Sequence, residues 1–320
     1  MLSKVAERVY WTARYIERVE NTARLVAVYT NLLLDLPKGV NLGWYNLVRL
    51  SSLEDSFMER YKVQDERNVV KFLLADESNP VSVVSSLNMV RENVRTTRDV
   101  VPGDAWELIN ELSIFVSENS AKALNRGQRH DCLDGIIRGC QRINGLLYGT
   151  MTHDEAWDFL RLGRNLERAD MTTRLLDAGC VAILQTETNE AAVNARQIIW
   201  GNVLRSVGGE QSYRRKLRAA VQGREVAHYL LEDPQFPRTI AHCLNAIADS
   251  AAKLPRCEPV CKAIKALQSK VFKTVDYDNL GEPMREYLNE LQVELGQLHE
   301  VFAKQWFNYS VEQQGQAQQA

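Results

Sequence analysis

"RYIERVENTARL" (14–25) and "RNLERADMTTRL" (164–175) share six of twelve positions, 150 residues apart. Neither stretch alternates like a strand. Both space charges and apolar residues at three and four, as a helix does. A charged helical stretch written twice raises the question of whether the whole chain is written twice.

Two further blocks answer it. "WYNLVRLSSLEDSF" (44–57) aligns with "WGNVLRSVGGEQSY" (200–213), with Trp44, Asn46, Arg49, Glu54 and Ser56 identical to Trp200, Asn202, Arg205, Glu210 and Ser212. "FLLADESNPVSVVSSLN" (72–88) aligns with "YLLEDPQFPRTIAHCLN" (229–245), sharing two leucines, an aspartate, a proline, a third leucine and an asparagine. The offset drifts only from 150 to 157. Three blocks in one order at a nearly constant offset indicate a tandem duplication. One unit is expected over 1–150 and a second over 151–309, with the Gln-rich tail 310–320 disordered.

Helical periodicity dominates between these blocks. Val9, Ala13, Ile16, Val19, Ala23 and Val26 form one apolar stripe on the first helix, for which Ser3 is the expected N-cap. Proline and glycine fall between helical segments, at Pro37-Lys38-Gly39, Asn79-Pro80, Val101-Pro102-Gly103, Asp233-Pro234, Phe236-Pro237 and Leu254-Pro255. Pro80 and Pro237 suit a first helical position, with Asn79 as the cap in the first copy only. In "THDE" (152–155), Thr152 or Asp154 caps the next helix. The expected fold is all-α: two helical-bundle repeats packed into one compact body.

With 320 residues, 45% apolar, 25% charged and a net charge of −2, the chain has the composition of a globular protein with ample material for a core. No overall positive field recruits nucleic acid or anionic lipid, and no apolar run is long enough to span a bilayer. "YRRKLR" (213–218) reads as a solvated helix face. The opening "MLSKVAERVYW" moves directly into an amphipathic helix, so a cytoplasmic setting with reduced thiols is expected.

The repeated charged helix supplies the candidate site: Arg14, Glu17, Arg18, Glu20 and Arg24 in the first copy, and Arg164, Glu167, Arg168, Asp170 and Arg174 in the second. Glu17 and Arg24 lie seven residues apart on one helical meridian, flanked by Arg14 and Asn21. Glu20 and Arg24, like Asp170 and Arg174, stand in the favourable acid-first i, i+4 order. The charges border the apolar stripe, so enclosure and cross-helix pairing are expected. Either Glu17 pairs with an arginine of the second copy and Glu167 with one of the first, fixing register. Or Arg18, Arg24, Arg168 and Arg174 surround a pocket that holds a carboxylate or phosphate.

Other chemistry is thin. There is no GxxxxGK[ST] loop. Cys132 near His130 and Cys243 beside His242 are better taken as small buried hydrophobes, as are the remaining cysteines. Glu225-x-x-His228 is a single match to a di-metal motif that needs two, and Cys257-x3-Cys261 lacks a second pair for zinc. No cofactor or metal is expected. The six tryptophans sit on apolar faces, and Trp44 and Trp200 are expected to pack alike.

"MLSKVAERVYWTARYIERVENTARL", "FLLADESNPVSVVSSLNMVRENVR", "GTMTHDEAWDFLRLGRNLERADMTTRLL" and "YLLEDPQFPRTIAHCLNAI" together resemble the alpha-E domain family. These are bacterial helical proteins named for a Glu-Arg motif, which falls here on Glu17-Arg18 and Glu167-Arg168. The resemblance covers residues 1–309. It implies a setting beside ATP-grasp and transglutaminase-like proteins in a peptide synthesis or modification system. The helical component would then be a scaffold or accessory subunit, and any nucleotide would be bound by the partner. The resemblance carries no catalytic residues. The alternative is an enzyme or ligand-binding protein using an Arg/Glu pocket between the repeats, with Glu17 and Glu167 as acid/base groups. Met171, where the first copy has Asn21, departs from the repeat.

Overall fold

The apolar stripe of the first helix is wholly covered. Val9, Ala13, Ile16, Val19, Ala23 and Val26 are all buried along α1 (Ser3–Asp35). The second copy of the charged stretch lies on α8 (Glu155–Leu184), and α1 and α8 are neighbours. Their contacts rise together in number. The amino group of Met1 meets Glu155 at 3.0 Å, the Tyr10 carbonyl faces Gly163, and Glu17 meets Arg168. The two helices therefore run side by side in the same direction. Gly163 makes the close approach possible: a Cβ there would lie 2.2 Å from the Tyr10 carbonyl oxygen. Its repeat counterpart is another small residue, the buried Ala13.

A computed structural model describes residues 1–36, 42–184, 190–271 and 275–307; the Pro37-Lys38-Gly39 turn and the Gln-rich tail lie outside them. Fourteen α-helices and no strand occur among the described residues. After α1 come α2 (Asn46–Leu50), α3 (Glu54–Met58), α4 (Glu66–Leu74), α5 (Val83–Arg95), α6 (Gly103–Asn119) and α7 (Arg126–Thr150). After α8 come α9 (Glu190–Ser206), α10 (Glu210–Leu217), α11 (Gly223–Glu232), α12 (Ile240–Ala251), α13 (Glu258–Val271) and α14 (Glu282–Phe302). In the first half α1, α5, α6 and α7 pack as a four-helix bundle. In the second, α8, α12, α13 and α14 pack in the same neighbour pattern. The α1–α8 contact joins the bundles, and one hydrophobic core runs through both.

The halves also agree in detail. Ser52 and Gly208 occupy matching places in the aligned blocks, and both adopt a left-handed backbone, with φ of 55° and 67°. Asp76 and Asp233 each fold their turns by accepting backbone N–H groups two or three residues on.

Three helix starts differ from the sequence reading. Pro80 and Pro237 stand three residues before α5 and α12, within the turns. The caps are Ser82 and Thr239, whose hydroxyls accept the N–H groups of Ser85 and His242 at 3.1 and 3.2 Å. Proline fixes the approach, and the hydroxyl residue two positions on meets the first free N–H groups. Asn79 braces its turn instead, donating to the Phe72 carbonyl. Ser3 is already helical, and the cap position before α1 belongs to Leu2. Asp154 does cap α8, accepting from Ala156 at 2.9 Å.

The tryptophans divide. Trp157, Trp200 and Trp306 are buried, whereas Trp11, Trp44 and Trp106 only lean on the core. Trp44 and Trp200 meet equivalent places on α1 and α8, Tyr29 and Gly179, but Trp44 lies in a turn beneath the Arg129 guanidinium and is only half-buried, whereas Trp200 lies buried within α9. No described helix is long and apolar enough to cross a membrane.

Candidate functional site

Because α1 and α8 run parallel, the two Glu-Arg motifs meet reciprocally. Glu17 is fully enclosed, with its carboxylate 3.0 Å from Arg168 Nε. Glu167 receives Arg18 from the opposite side, Nε to Oε1 at 2.7 Å and Nη2 to Oε2 at 3.1 Å, a two-pronged fork. Each glutamate has a second guanidinium, and here the halves part. At Glu167 it is Arg14, Nε to Oε2 at 2.7 Å. At Glu17 it is Arg238, which enters from the turn before α12, with Nη1 2.5 Å from Oε1. Both Glu17 contacts sit off the N–H axes, so charge rather than aligned hydrogen bonding holds this carboxylate.

Arg238 does more in the first cluster. It donates to Glu20 Oε1 at 3.0 Å and to Asn21 Oδ1, and Arg24 Nε reaches the same Glu20 oxygen at 2.9 Å. The displaced residue is Arg164, the counterpart of Arg14. Its guanidinium lies over the Trp157 ring at 5.8 Å, and its Nε and Nη2 have no hydrogen-bond partner among the described residues.

In the second cluster the counterpart of Arg238 is Val81, and the counterpart of Asn21 is Met171. A polar pair in one half is thus an apolar pair in the other. Among the described residues Asp170 is left with a single ion-pair partner, Arg174 Nε at 2.8 Å, and keeps 23% of its side chain exposed. Arg174 also donates to Ser52 Oγ at 2.9 Å and to the Leu50 carbonyl at 3.2 Å. Val81 and Met171 wall a cleft of about 610 Å³ that reaches Arg18, Asp170 and Arg174 and is roofed by α14. So the four arginines considered as one anion pocket are split. Arg18 and Arg174 border the cleft, Arg24 and Arg168 do not, and each already faces a carboxylate.

The electrostatics follow from this pairing. Burial alone would push the Glu167 carboxyl up, but Arg18 and Arg14 outweigh it and bring its pKa down to about 2. Burial likewise opposes, and Arg168 with Arg238 reverse, the shift at Glu17, whose pKa is also lowered. A carboxylate clamped by two guanidiniums stays ionised near neutrality. Arg164 moves the other way: burial, then the like charge of Arg168, lower its pKa to about 10.

Beside the cleft, Arg14 Nη1 donates to the Tyr10 hydroxyl at 3.3 Å, and that hydroxyl lies 2.9 Å from His299 Nδ1. Burial raises Tyr10 to about 12. Burial and then Arg14 lower the pKa of His299, which favours its neutral imidazole. Sequence reasoning did not bring Arg238, Tyr10 or His299 to this site. For Arg238 a signal existed, since the repeat alignment sets an arginine against Val81. Nothing local announces the other two.

The remaining candidates lie elsewhere. Cys132, Cys140, Cys180 and Cys243 are buried. Burial raises all four thiols, Cys132 to about 11 and Cys243 to about 12, which makes them poor nucleophiles. His228 pairs with Glu232 at 3.5 Å and not with Glu225. In "YRRKLR", Tyr213 is buried, Arg214 pairs with Glu210 and Lys216 with Asp233. Among the described residues no three His, Cys, Asp or Glu side chains converge as a metal site would require.

The chain belongs to the Alpha-E family, described as "a predicted alpha-helical domain with a conserved ER motif", which matches residues 1–307. It is similar to the uncharacterized protein Mb2597 of Mycobacterium bovis and the uncharacterized protein Rv2567 of Mycobacterium tuberculosis. Each is 22% identical over 275 residues, covering 79% of this chain and 30% of the relative. The chain therefore spans less than a third of the length of these curated relatives. No solved structure matches.

Proposed function

We propose that this chain is a helical scaffold or accessory subunit of a cytoplasmic peptide synthesis or modification system, built by tandem duplication of one bundle. Its partners would be an ATP-grasp-type peptide ligase and a transglutaminase-like protein, as the family resemblance suggests. The observation that carries the non-catalytic reading is the state of the motif: Glu17 and Glu167 are each held between two guanidiniums and below the ordinary carboxylate range. A general acid or base works best with a pKa near the working pH, and the guanidiniums shift both groups away from it. The motif serves better as a brace between the bundles, and the geometry argues against an acid–base enzyme built on it. Matching bundles, caps and left-handed turns support the duplication.

The test is isolation of the tagged full-length protein from its own cells under conditions that keep a known complex intact. The expected result is stoichiometric recovery of an ATP-grasp ligase. Recovery of the chain alone, beside an intact reference complex, would overturn the subunit reading.

A further inference from the structure

The two halves differ where Arg238 and Asn21 of the closed cluster are matched by Val81 and Met171 of the open one, and the closed half shows what the open half lacks. In the closed half Glu20 has two cations, Arg24 and Arg238. In the open half its counterpart Asp170 forms an ion pair with Arg174 alone among the described residues, with the Arg14 charge nearby, and the place of Arg238 is taken by Val81 on the wall of a cleft. From this we propose that the cleft binds an organic cation, a primary amine or a guanidinium, docked on Asp170 as the Arg238 guanidinium docks on Glu20.

The charge inventory permits it. Arg14, Arg18 and Arg174 face Glu167, Asp170 and Glu300 around the cleft, three charges of each sign. An added cation leaves a surplus of one. The closed half already holds a surplus of two, from Arg24, Arg164, Arg168 and Arg238 against Glu17 and Glu20. An added anion finds a poorer reception, because every arginine at the cleft is engaged by a carboxylate.

The cleft also suggests the rest of the ligand. Arg174 and Gln292 line both this cleft and a neighbouring cavity of about 420 Å³, walled by Leu25, Leu50, Ile199 and Val203. A cation on Asp170 with an apolar group extending past Arg174 would fill both. Val81 and Met171 would cover its aliphatic stem. The lysine or arginine side chain of a peptide and a free polyamine share this chemistry. The inference does not rest on the subunit reading, because it is tested on the purified chain alone.

The probe is N-acetyl-leucyl-lysine amide, titrated calorimetrically into the full-length protein. Its controls replace lysine with norleucine or glutamate, and spermidine serves as the free-amine arm. One saturable site is expected for a cationic probe, with binding about tenfold weaker for the norleucine peptide and for Asp170→Asn. Tighter binding of the lysyl peptide or of spermidine tells which source of the cation the site prefers. Val81→Arg supplies the cation internally; it should abolish binding and raise the melting temperature. If Val81→Arg misfolds by circular dichroism, Asp170→Asn carries the test. The proposal falls if no cationic probe binds at low millimolar concentration. It also falls if the norleucine or glutamyl peptide binds as well as the lysyl one, or if the folded variants bind like the unaltered protein.

Discussion

Glu17 on α1 and Arg168 on α8 face each other at 3.0 Å with the glutamate wholly enclosed. Removing Glu17 leaves Arg168 without its carboxylate, and removing Arg168 leaves the buried Glu17 with Arg238 alone; each loss should cost up to about 3–5 kcal/mol, whereas removing both costs less than the sum. Glu17→Gln and Arg168→Ala should each lower the urea midpoint clearly, and the double variant should be markedly non-additive. Additive losses, within about 0.5 kcal/mol, would mean that the two residues act apart.

Arg164 and Arg238 compete for one place. With Arg238 present, Arg164 is a buried guanidinium whose charge is disfavoured, so Arg164→Met should leave stability unchanged or raise it by about 1 kcal/mol. In an Arg238→Leu background the same substitution should become destabilising, because Arg164 is then free to turn onto Glu17 as Arg14 turns onto Glu167. Thermal melts of the four proteins decide the matter. An equal effect of Arg164→Met in both backgrounds would dismiss the competition.

Acid should loosen the brace in a defined window. The folded-state pKa of Glu167 lies below its unfolded value, so its contribution is complete above about pH 4.5 and is lost as pH falls toward about 2. A drop from 4.5 to about 2 corresponds to about 3 kcal/mol at full ionisation. Glu17 shifts in the same direction. Unfolding free energy measured from pH 6 downward should fall steeply only below about pH 4.5, and Glu167→Gln should flatten that limb. An unchanged slope in the variant would refute the assignment.

Gly163 lies where two backbones nearly touch. A methyl group 2.2 Å from the Tyr10 carbonyl has nowhere to go, because the obstacle is main chain. Gly163→Ala should cost at least about 2 kcal/mol despite the better helix propensity of alanine. The control Gly145→Ala, on α7 with open space around it, should be neutral or stabilising. Similar melting of the two variants would show that the helices can part without loss.

Thiol accessibility gives a count. Four of the six cysteines are buried, and only Cys257 and Cys261 are partly exposed. A disulfide reagent should therefore titrate about two thiols quickly in the native protein and all of them in denaturant. Fast reaction of four or more in the native state would contradict the packing.

Much of this was legible in the residues, and what was hidden follows a pattern. The apolar stripe of α1 and the charged stretch bordering it are local periodic features, so burial and enclosure could be read directly. Proline is a strong signal and marks the helix start three residues too early, ahead of the true caps Ser82 and Thr239. Arg238 lies in a turn more than two hundred residues from Glu17, and a turn arginine is solvated in most proteins. Only its mismatch with Val81 marked it. The release of Arg164 was illegible, because it depends on which of two guanidiniums wins a shared carboxylate in three dimensions.

The reciprocity of the Glu-Arg pairs has one more consequence, for the sliding of α8 along α1. A shift of one turn, about 5.4 Å, could keep Glu17 satisfied by bringing up Arg164 in place of Arg168. The same shift would carry Glu167 from between Arg14 and Arg18 to between Arg18 and Thr22, leaving it one guanidinium in place of two. A single charged pair would tolerate neighbouring settings, like a ratchet with many teeth. Two pairs wired in opposite senses behave like a lock with two keyholes, and only one alignment of the helices turns both.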